Sequence, residues 1–490
     1  MPEPEAAAIV VFGASGDLAN RKLYPALAAL AARKQLPSRC AIIGVARTLD
    51  ADGDMSVEVR AAIKEAHPEL EHVLDRVTFR YLQGTFDDPQ LWHTLSVTFN
   101  ELDVGLNLGG NALYYLAIAP QFIDAVSQGL ASVGMETSAA GGFRRLIIEK
   151  PFGHDTESAR ALNASLLKVW DESQLYRIDH YLAKETVRNI LALRFTNTIF
   201  EPIWNRRYVD RVELTIAESL GVEHRGSFYE TAGAIRDIVQ NHLLQVLAFI
   251  TMEPPSRFTP EAIRDEKFKL LSAIHSFSDG DLASRVVRGQ YVAGTEDGAP
   301  VVGYREEEGV DHNSMTETFV AARFEIDNWR WAGVPFYVRT GKRLPRRTSE
   351  VALTFKPVPF LPLPPEATDS LEPNVMRIRI QPDEGINLTM SAKVPGAGFT
   401  TREVNLGFLY SDGFPEVASE AYEHVLHEAL KGDSTLFLRA DEVERAWQII
   451  QPLLDAFAAN SIPLANYPAG TWGPVEANEL LESGDSWRTI

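Results

Sequence analysis

Cysteine is almost absent from this sequence: Cys40 is the only one in 490 residues. A single cysteine excludes a disulfide within the chain and is typical of proteins of the reducing cytosol. Long apolar runs are also missing, since none approaches the roughly 20 residues that a membrane-spanning helix needs. Residues 1–5 are acidic and lead directly into a short apolar stretch, so no signal peptide is expected. These absences predict a cytoplasmic protein.

Basic residues are also scarce relative to acidic ones: 47 Lys and Arg face 67 Asp and Glu, which gives a formal net charge of -20. This balance argues against nucleic-acid or membrane-surface binding, because both surfaces are anionic. A length of 490 residues exceeds that of one compact core, so two or three domains are expected. A small anionic ligand remains compatible with this composition if the cations around it are concentrated locally.

The first apolar stretch, residues 6–12, is followed by a glycine turn and a helical pattern over residues 22–33. Strand, glycine turn and helix open a dinucleotide-binding unit, where glycines let the backbone approach a pyrophosphate. Gly13 and Gly16 form G-x-x-G and not the full G-x-G-x-x-G pattern, so a plain strand-to-helix turn is the alternative.

Arg47 follows the second predicted strand, residues 41–45. An NAD-binding unit commonly has an acid here for the ribose 2′-hydroxyl, whereas an arginine can pair with the 2′-phosphate of NADP. The sequence therefore favours NADP, and a solvated surface arginine is the alternative.

Further strands are predicted at residues 77–83, 112–119 and 145–149, with helical or polar segments between them. Such alternation indicates a buried parallel sheet. Lys150 follows the last of these strands, and ligands bind at the carboxyl ends of strands in open α/β sheets. A lysine that only solubilises the strand end is the alternative.

Residues 177–185 are unusually rich in charge for a segment that otherwise has a buried pattern. Asp179, His180, Tyr181 and Lys184 combine an acid, an imidazole, a phenol and an ammonium within one short stretch. Such a set could orient a base and bind an anion. The alternative is a solvated loop with a helix cap.

Beyond residue 200 the pattern changes to closely spaced strands with few helices. They are predicted at residues 209–218, 284–291, 315–326, 334–340, 350–355, 375–381, 385–391 and 401–408. This spacing indicates a large, mainly antiparallel sheet, which helices at 417–431 and 441–458 would cover. Glu218 falls on the apolar face of the first strand, where a carboxylate is costly unless it is paired or used.

A helix predicted over residues 234–250 has an apolar stripe and a second face of amides with Arg236 and Asp237. Amides in place of lysines and glutamates suggest a polar face turned into the protein. His242 lies near the boundary of the two faces and could act as a general base if a carboxylate such as Asp179 oriented it. A satisfied core histidine is the alternative.

Residues 339–347 contain five cations, among them Lys342 and Arg347, in an otherwise acidic chain. A site for a phosphorylated small molecule fits this concentration of charge. A solvated loop is the alternative.

Four segments together resemble the glucose-6-phosphate dehydrogenase family: GASGDLANRKLYPAL, EKPFG, RIDHYLAKE and RGSFYETAGAIRDIVQNHLLQ. The similarity covers essentially the whole chain, and KRLP with its flanks agrees. It implies an α/β Rossmann domain, assigned to residues 1–178, and a larger α+β domain with a mainly antiparallel sheet, assigned to residues 179–490. The second domain would bind substrate and support a homodimer or homotetramer.

The resemblance also implies the role of each site residue in oxidising glucose 6-phosphate at C1 with NADP, or more weakly NAD. His242 would be the base and Asp179 its orienting partner. Substrate binding would fall to His180, Tyr181, Lys184, Lys150, Glu218, Asp237, Lys342 and Arg347. Cofactor binding would fall to Gly13, Ala14, Ser15, Gly16, Asp17, Leu18, Arg47, Thr85, Phe86 and Lys150. Oxidation of a hemiacetal carbon needs a base and no metal, so none is expected.

Two departures from the family pattern are small. Asn20 stands where a basic residue is common, and Glu230 where aspartate is frequent. The first would slightly weaken attraction for the cofactor phosphates. Two other functions remain open: a different sugar oxidoreductase with an E-K-P turn, and a catalytically silent paralogue that serves as a regulatory subunit.

Overall fold

The computed structural model describes residues 4–48, 54–278, 280–296, 298–362, 371–396, 399–414, 420–482 and 485–488. These residues form two compact units. The first takes those within Met1–Ala183, Pro255–Asp265 and Ala418–Glu444; the second takes those within Lys184–Pro254, Glu266–Val417 and Arg445–Ile490.

The strands are numbered in chain order. They are β1 (Ala7–Phe12), β2 (Cys40–Ala46), β3 (Thr78–Gln83), β4 (Ala112–Leu116), β5 (Arg144–Ile148), β6 (Leu175–Ile178), β7 (Val209–Ala217), β8 (Val286–Val292), β9 (Gly294–Glu296), β10 (Ala299–Val301), β11 (Phe319–Phe324), β12 (Phe336–Gly341), β13 (Thr348–Phe355), β14 (Val375–Gln381), β15 (Gly385–Lys393), β16 (Thr401–Leu409), β17 (Phe437–Leu438) and β18 (Leu464–Pro468).

The α-helices are numbered in the same way. They are α1 (Tyr24–Ala32), α2 (Met55–Ala66), α3 (Pro89–Leu106), α4 (Ile123–Ser132), α5 (Thr156–Leu166), α6 (Glu185–Thr196), α7 (Gly226–Ala234), α8 (Leu244–Thr251), α9 (Pro260–Ala273), α10 (Leu282–Arg285), α11 (Tyr410–Gly413), α12 (Ala421–Lys431) and α13 (Ala440–Ala458). Two π-helical segments, Ala19–Leu23 and Ile235–Leu243, directly precede α1 and α8.

The sheet of the first unit has the strand order β6-β5-β4-β1-β2-β3, all parallel, with β17 antiparallel beside β6. β1 is buried along its whole length, which explains its uninterrupted apolar sequence. The strand order reverses at β1, as in doubly wound dinucleotide-binding sheets. The predicted Rossmann-type sheet is confirmed.

The core of the first unit includes a helix from late in the sequence. Apolar side chains of β1 (Ile9), α1 (Leu27) and α12 (Leu426) belong to one buried cluster. Ion pairs reinforce this packing, since Arg33 binds Glu423 at 2.5 Å and Lys22 binds Glu420 at 3.2 Å. The helix α12 is therefore part of the first unit despite its position in the chain.

The sheet of the second unit has the strand order β16-β15-β14-β13-β7-β12-β11-β8-β18. Its neighbouring strands are antiparallel except for the pairs β7–β12 and β8–β18. The prediction of a large, mainly antiparallel sheet is confirmed.

Several predicted elements differ from the observed ones, two of them at their N-terminal ends for reasons that the chain shows. The strand predicted at 284–291 starts as the short helix α10, because Arg285 pairs with Asp281 one turn earlier at 2.9 Å. The helix predicted at 417–431 is observed from Ala421, and residues 417–419 lie outside the described residues. Within the described parts of the chain, no helix is long and apolar enough to cross a membrane.

Candidate active site

In the first unit, predicted site residues follow the carboxyl ends of five parallel strands. They are Gly13 after β1, Arg47 after β2, Thr85 after β3, Lys150 after β5 and Asp179 after β6. Because parallel strands end at the same edge of a sheet, these residues lie along one edge. This is the edge at which open α/β sheets bind ligands.

The glycine turn after β1 has a conformation that only glycine adopts without strain. Gly13 has φ +83°, and a Cβ there would lie 2.2 Å from the main-chain oxygen of Ala117. Its N–H donates to the Val45 oxygen at 2.8 Å, and Gly16 N–H donates to the Gly13 oxygen at 2.9 Å. The turn is thereby fixed against the neighbouring strands. Ala14, Ser15, Asp17 and Leu18 complete it, with the Asp17 side chain exposed.

Arg47, Thr85 and Phe86 occupy the next two strand ends. The Arg47 side chain is exposed, while its main-chain oxygen accepts a hydrogen bond from Gln83 at 2.9 Å. Phe86 packs edge-on against Phe12 and Phe122, with ring centroids 6.0 and 5.7 Å apart. Phe86 is thus part of an aromatic cluster at the end of β1, and Arg47 projects where an anion could reach it.

The two departures from the family pattern have different surroundings. Asn20 donates to the Glu58 carboxylate at 3.1 Å, so an acid lies beside this position, close to the glycine turn. Glu230 accepts hydrogen bonds from Tyr304 and Ser314, both at 2.6 Å, within the second unit. Asn20 is therefore the departure that bears on cofactor attraction.

The segment after β6 is a buried turn and not a solvated loop. Asp179 is only 1% exposed, and its Oδ1 accepts the Tyr181 N–H at 2.9 Å. The His180 and Tyr181 rings lie side by side, with centroids 5.3 Å apart. Asp179 belongs to the first unit and His242 to the second, so their predicted pairing remains a prediction.

In the second unit, the predicted helix at 234–250 is π-helical over Ile235–Leu243 and α-helical only from Leu244. Gly233, with φ +61°, interrupts the helical backbone just before this π-helix. A Cβ at Gly233 would lie 2.3 Å from a Glu317 carboxylate oxygen. That carboxylate caps the new helix by accepting the Ile235 N–H at 3.2 Å. Burial raises the pKa of Glu317.

The π-helix changes which side chains share a face. Residues five apart, such as Asp237 and His242, differ by about 140° around an α-helix of 3.6 residues per turn. In a π-helix the hydrogen bonds join residues five apart, so these two side chains project from nearly the same side. His242 is 1% exposed, and Gln240, Asn241 and Gln245 are also buried, as expected for a polar face turned inward.

The ammonium group of Lys342 lies close to two other residues predicted to bind substrate, Glu218 and Asp237. Lys342 follows β12, is buried, and donates to the Glu218 carboxylate, which directly follows the adjacent parallel strand β7. Its Nζ also lies 4.0 Å from the Asp237 carboxylate and 4.9 Å from the Tyr229 ring centroid. This pairing explains how Glu218 is tolerated at the end of an apolar strand.

Of the other cations in residues 339–347, Arg339 and Arg343 make contacts within the fold, whereas Arg347 is exposed. Arg339 is buried against the rings of Trp472 and Trp487, and Arg343 pairs with Glu296. Arg347 is exposed and donates to the Gln381 side-chain oxygen at 3.4 Å. Only part of this cationic run is therefore available to a ligand.

Lys184 donates to the same Gln381 oxygen, which brings two cations predicted to bind substrate, Lys184 and Arg347, close together. Gln381 is held in turn, because its Nε2 donates to Ser349 at 3.0 Å. Burial, and then the charge of Arg347, lower the pKa of Lys184 to about 8, against the opposing charge of Glu384. A dianion bound here would relieve the repulsion between the two cations.

Gln381, Glu384 and Tyr229 were not identified from the sequence. Gln381 and Tyr229 contact predicted site residues, and the charge of Glu384 acts on Lys184. Of the three, Tyr229 lies in a motif that carries the resemblance. The run Gln381-Pro382-Asp383-Glu384 between two predicted strands, with two acids beside a proline, is the signal that could have drawn attention to this turn. No group of three or more His, Cys, Asp or Glu side chains suited to a metal occurs in the described ranges.

A doubly wound sheet with a glycine turn after β1 and ligand-type residues at its carboxyl edge defines the class: an oxidoreductase-type dinucleotide-binding domain with a second α+β unit. Comparisons with known proteins give the family. Residues 10–189 match the glucose-6-phosphate dehydrogenase NAD binding domain, and residues 191–488 match the glucose-6-phosphate dehydrogenase C-terminal domain.

Full-length relatives agree. Glucose-6-phosphate 1-dehydrogenase 2 of Mycobacterium tuberculosis is 45% identical over 485 residues, which is 98% of this chain and 94% of that protein. The Bacillus subtilis glucose-6-phosphate 1-dehydrogenase is 41% identical over 99% of this chain and 98% of its own. A solved glucose-6-phosphate dehydrogenase in complex with its substrate glucose-6-phosphate has a TM-score of 0.90 and 33% identity, with both chains fully covered. The chain belongs to the glucose-6-phosphate dehydrogenase family.

Proposed function

We propose that this protein oxidises D-glucose 6-phosphate at C1 to 6-phospho-D-glucono-1,5-lactone and transfers the hydride to NADP+. The observation that carries the proposal is similarity over essentially the whole chain to enzymes of this activity, at 40–45% identity. The site residues support it, because His242, Asp179, His180 and Lys184 are all present at the motif positions. A catalytically silent relative would be expected to have lost at least one of them.

In the proposed mechanism, His242 accepts the proton of the C1 hydroxyl while the C1–H bond breaks with its electron pair and C1–O becomes a carbonyl. NADP+, when bound, supplies the acceptor for that hydride. Asp179 holds the imidazole in the tautomer that can accept a proton and stabilises the imidazolium that results. Lys184, His180, Tyr181 and Arg347 bind the 6-phosphate.

The same proposal gives Lys342 a double task. Its ammonium binds Glu218 and faces Asp237, so it holds both carboxylates in place to accept hydrogen bonds from sugar hydroxyls. Lys150 contributes to both the sugar site and the cofactor site.

The residues of the first unit fit a dinucleotide cofactor. A Cβ at Gly13 would collide with the neighbouring strand end, so the turn keeps its backbone bare for a pyrophosphate. Gly13, Ala14, Ser15, Gly16, Asp17 and Leu18 would hold that group, with Thr85 and Phe86 beside it. Arg47 supports NADP over NAD, because its exposed guanidinium can pair with a 2′-phosphate.

The experiment is an assay of the purified protein with glucose 6-phosphate and NADP, following nicotinamide reduction and identifying the lactone or its hydrolysis product. We expect turnover with glucose 6-phosphate and far less with unphosphorylated glucose. The absence of turnover with NADP and with NAD across the pH range of the folded protein would refute the proposal.

We further propose that the protein is a homodimer or homotetramer, and that the dinucleotide-binding domain ends at residue 178, close to Ala183, where the first stretch of the first unit ends. Strand β16 lies at the edge of the nine-stranded sheet and exposes Leu406 and Phe408, 56% and 42% accessible. An exposed apolar edge strand favours pairing with another chain. Light scattering of the protein and of Leu406→Asp tests this: we expect an oligomer that the substitution weakens, and a monomer in both cases would contradict it.

A further inference from the structure

A partly buried glutamate, Glu149, lies next to Lys150 in the first unit. Glu149 directly follows β5, and its carboxylate accepts a hydrogen bond from the Tyr115 hydroxyl at 2.5 Å. The Tyr422 hydroxyl also acts on the same carboxyl group. Tyr115 is fully buried on β4, whereas Tyr422 belongs to α12, so hydroxyls from two distant parts of the sequence converge on one side chain.

The surroundings of Glu149 make a charge there costly. Burial raises the pKa of Glu149, and it also raises the pKa values of both tyrosines, which therefore remain protonated donors. The cation that acts on the Glu149 carboxylate is the ammonium of Lys150, its neighbour in sequence. A charge is tolerated in such a place only when it is paired and hydrogen-bonded, so the two tyrosines and Lys150 together hold it.

Strand β5 also contacts the other end of α12. The Arg145 guanidinium donates to the main-chain oxygens of Ala429 and Leu430 at 2.8 and 2.6 Å. These carbonyls belong to the last turn of the helix, where cations and donors are favourable. Arg145 and Glu149 thus both bind α12 to this strand, but only Glu149 adjoins a proposed site residue. A change at Arg145 therefore tests the packing of α12 alone, whereas a change at Glu149 also tests the position of Lys150.

We propose that Glu149 is a positioning residue for Lys150, and that Tyr422 of α12 and Tyr115 of β4 fix Glu149 for that task. The inference rests on the proposed function, because Lys150 is assigned there to the sugar and cofactor sites. The Tyr115 hydrogen bond and the neighbouring Tyr422 hydroxyl fix the Glu149 side chain, which restrains the backbone that leads into Lys150. A helix from residues 421–431 thereby contributes to the geometry of the site without touching a ligand.

The first test is a double-mutant cycle with Glu149→Gln, Lys150→Met and the double variant. Glu149→Gln alone is expected to lower kcat/KM for glucose 6-phosphate about 10- to 100-fold, because a small misplacement of a binding group has effects of this size. In the Lys150→Met background the same change should alter kcat/KM by less than about twofold, since the group it positions is gone. Equal losses in both backgrounds would overturn the proposal.

The second test compares Tyr422→Phe with Arg145→Met, two changes that each loosen one end of α12. Both are expected to lower the thermal unfolding temperature, but only Tyr422→Phe should lower kcat/KM, by a few-fold. If Arg145→Met lowers kcat/KM as much, helix docking alone explains the effect and the positioning role is refuted.

The third test does not depend on turnover. Limited acylation followed by mass spectrometry measures the reactivity of Lys150, with the exposed Lys168 of the same protein as reference. Glu149→Gln is expected to speed acylation of Lys150 several-fold relative to Lys168, because an amine that is no longer held in place is more accessible to the reagent. An unchanged ratio would overturn the proposal. If the wild-type protein does not oxidise glucose 6-phosphate but Glu149→Gln still changes the Lys150-to-Lys168 ratio, the proposed function alone is refuted.

Discussion

The two units place their candidate site residues in different ways. In the first unit the residues follow directly from the sheet: each comes at the carboxyl end of a parallel strand, and strand order determines its position along the edge. In the second unit they are held by contacts between distant segments, as when Lys342 binds Glu218 and Lys184 binds Gln381. The first arrangement depends on backbone geometry, and the second on ion pairs and hydrogen bonds between side chains.

This difference predicts different sensitivities. Backbone geometry tolerates changes of surface charge, so substitutions of exposed charges in the first unit, such as Arg47, should alter which cofactor binds more than whether the site exists. Paired charges are lost when one partner is removed, because the other is left without its counter-charge. Substitutions in the second unit should therefore affect sugar binding and the chemical step.

The largest expected effect is in the second unit. His242→Asn should lower kcat by about 10²- to 10⁴-fold, the usual contribution of a general base, and change KM for glucose 6-phosphate little. Steady-state kinetics measure both. His275→Asn, which alters a half-exposed histidine paired with Asp327 in the same unit, is the matched control and should keep normal activity. A His242→Asn enzyme with most of its activity would show that another group is the base.

The next effect is in the first unit and concerns cofactor choice. Arg47→Ala should raise KM for NADP about 10- to 100-fold, the value of a charge-assisted hydrogen bond of roughly 1.5–3 kcal/mol, and leave KM for NAD nearly unchanged. Arg80→Ala, at an exposed arginine on β3, is the control. Equal changes for both cofactors would mean that Arg47 does not contact the 2′-phosphate.

A smaller effect should appear with pH in the second unit. The pKa of Lys184 is lowered to about 8, so its ammonium loses its proton as pH rises through that value, while the sugar phosphate stays a dianion above a pKa of about 6. KM for glucose 6-phosphate should therefore rise several-fold from pH 7 to pH 9. Lys184→Arg keeps its charge over this range and should have a nearly flat profile. Parallel rises in both proteins would exclude Lys184 as the cause.

The smallest effect is expected at the glycine turn. Asn20→Lys places a cation near the phosphates, but Glu58 lies within hydrogen-bond distance of this position and would pair with it. KM for NADP should fall by no more than about threefold, since exposed or partly exposed pairs are worth 0–1 kcal/mol. A tenfold gain measured in the same assay would show that Asn20, and not Arg47, limits cofactor attraction.

The first unit could be predicted largely from the sequence, because its signals are local. The apolar stretch before Gly13 predicted β1, and the alternation of strands and helices predicted the parallel sheet. The antiparallel sheet was also predicted, from closely spaced strands. The helix predicted at residues 234–250 in the same unit as that sheet was wrong in its hydrogen-bond pattern, which is π-helical over Ile235–Leu243. No local signal shows that the helical backbone is interrupted at Gly233 or that Glu317 caps the segment that follows.

Contacts across long stretches of sequence could not be predicted. Tyr422 and Glu149 carry no shared motif, and only the packing of α12 in the first unit brings them together. Gln381 was missed for the same reason, although it contacts both Lys184 and Arg347.

The most direct test of the account follows the hydride itself. Glucose 6-phosphate deuterated at C1 is incubated with the protein and NADP, and the reduced cofactor is examined by mass spectrometry and NMR. We expect one deuterium per molecule on the nicotinamide ring and a slower rate in wild-type enzyme if the C1–H bond breaks in the limiting step. Reduced cofactor without deuterium would contradict direct hydride transfer from C1.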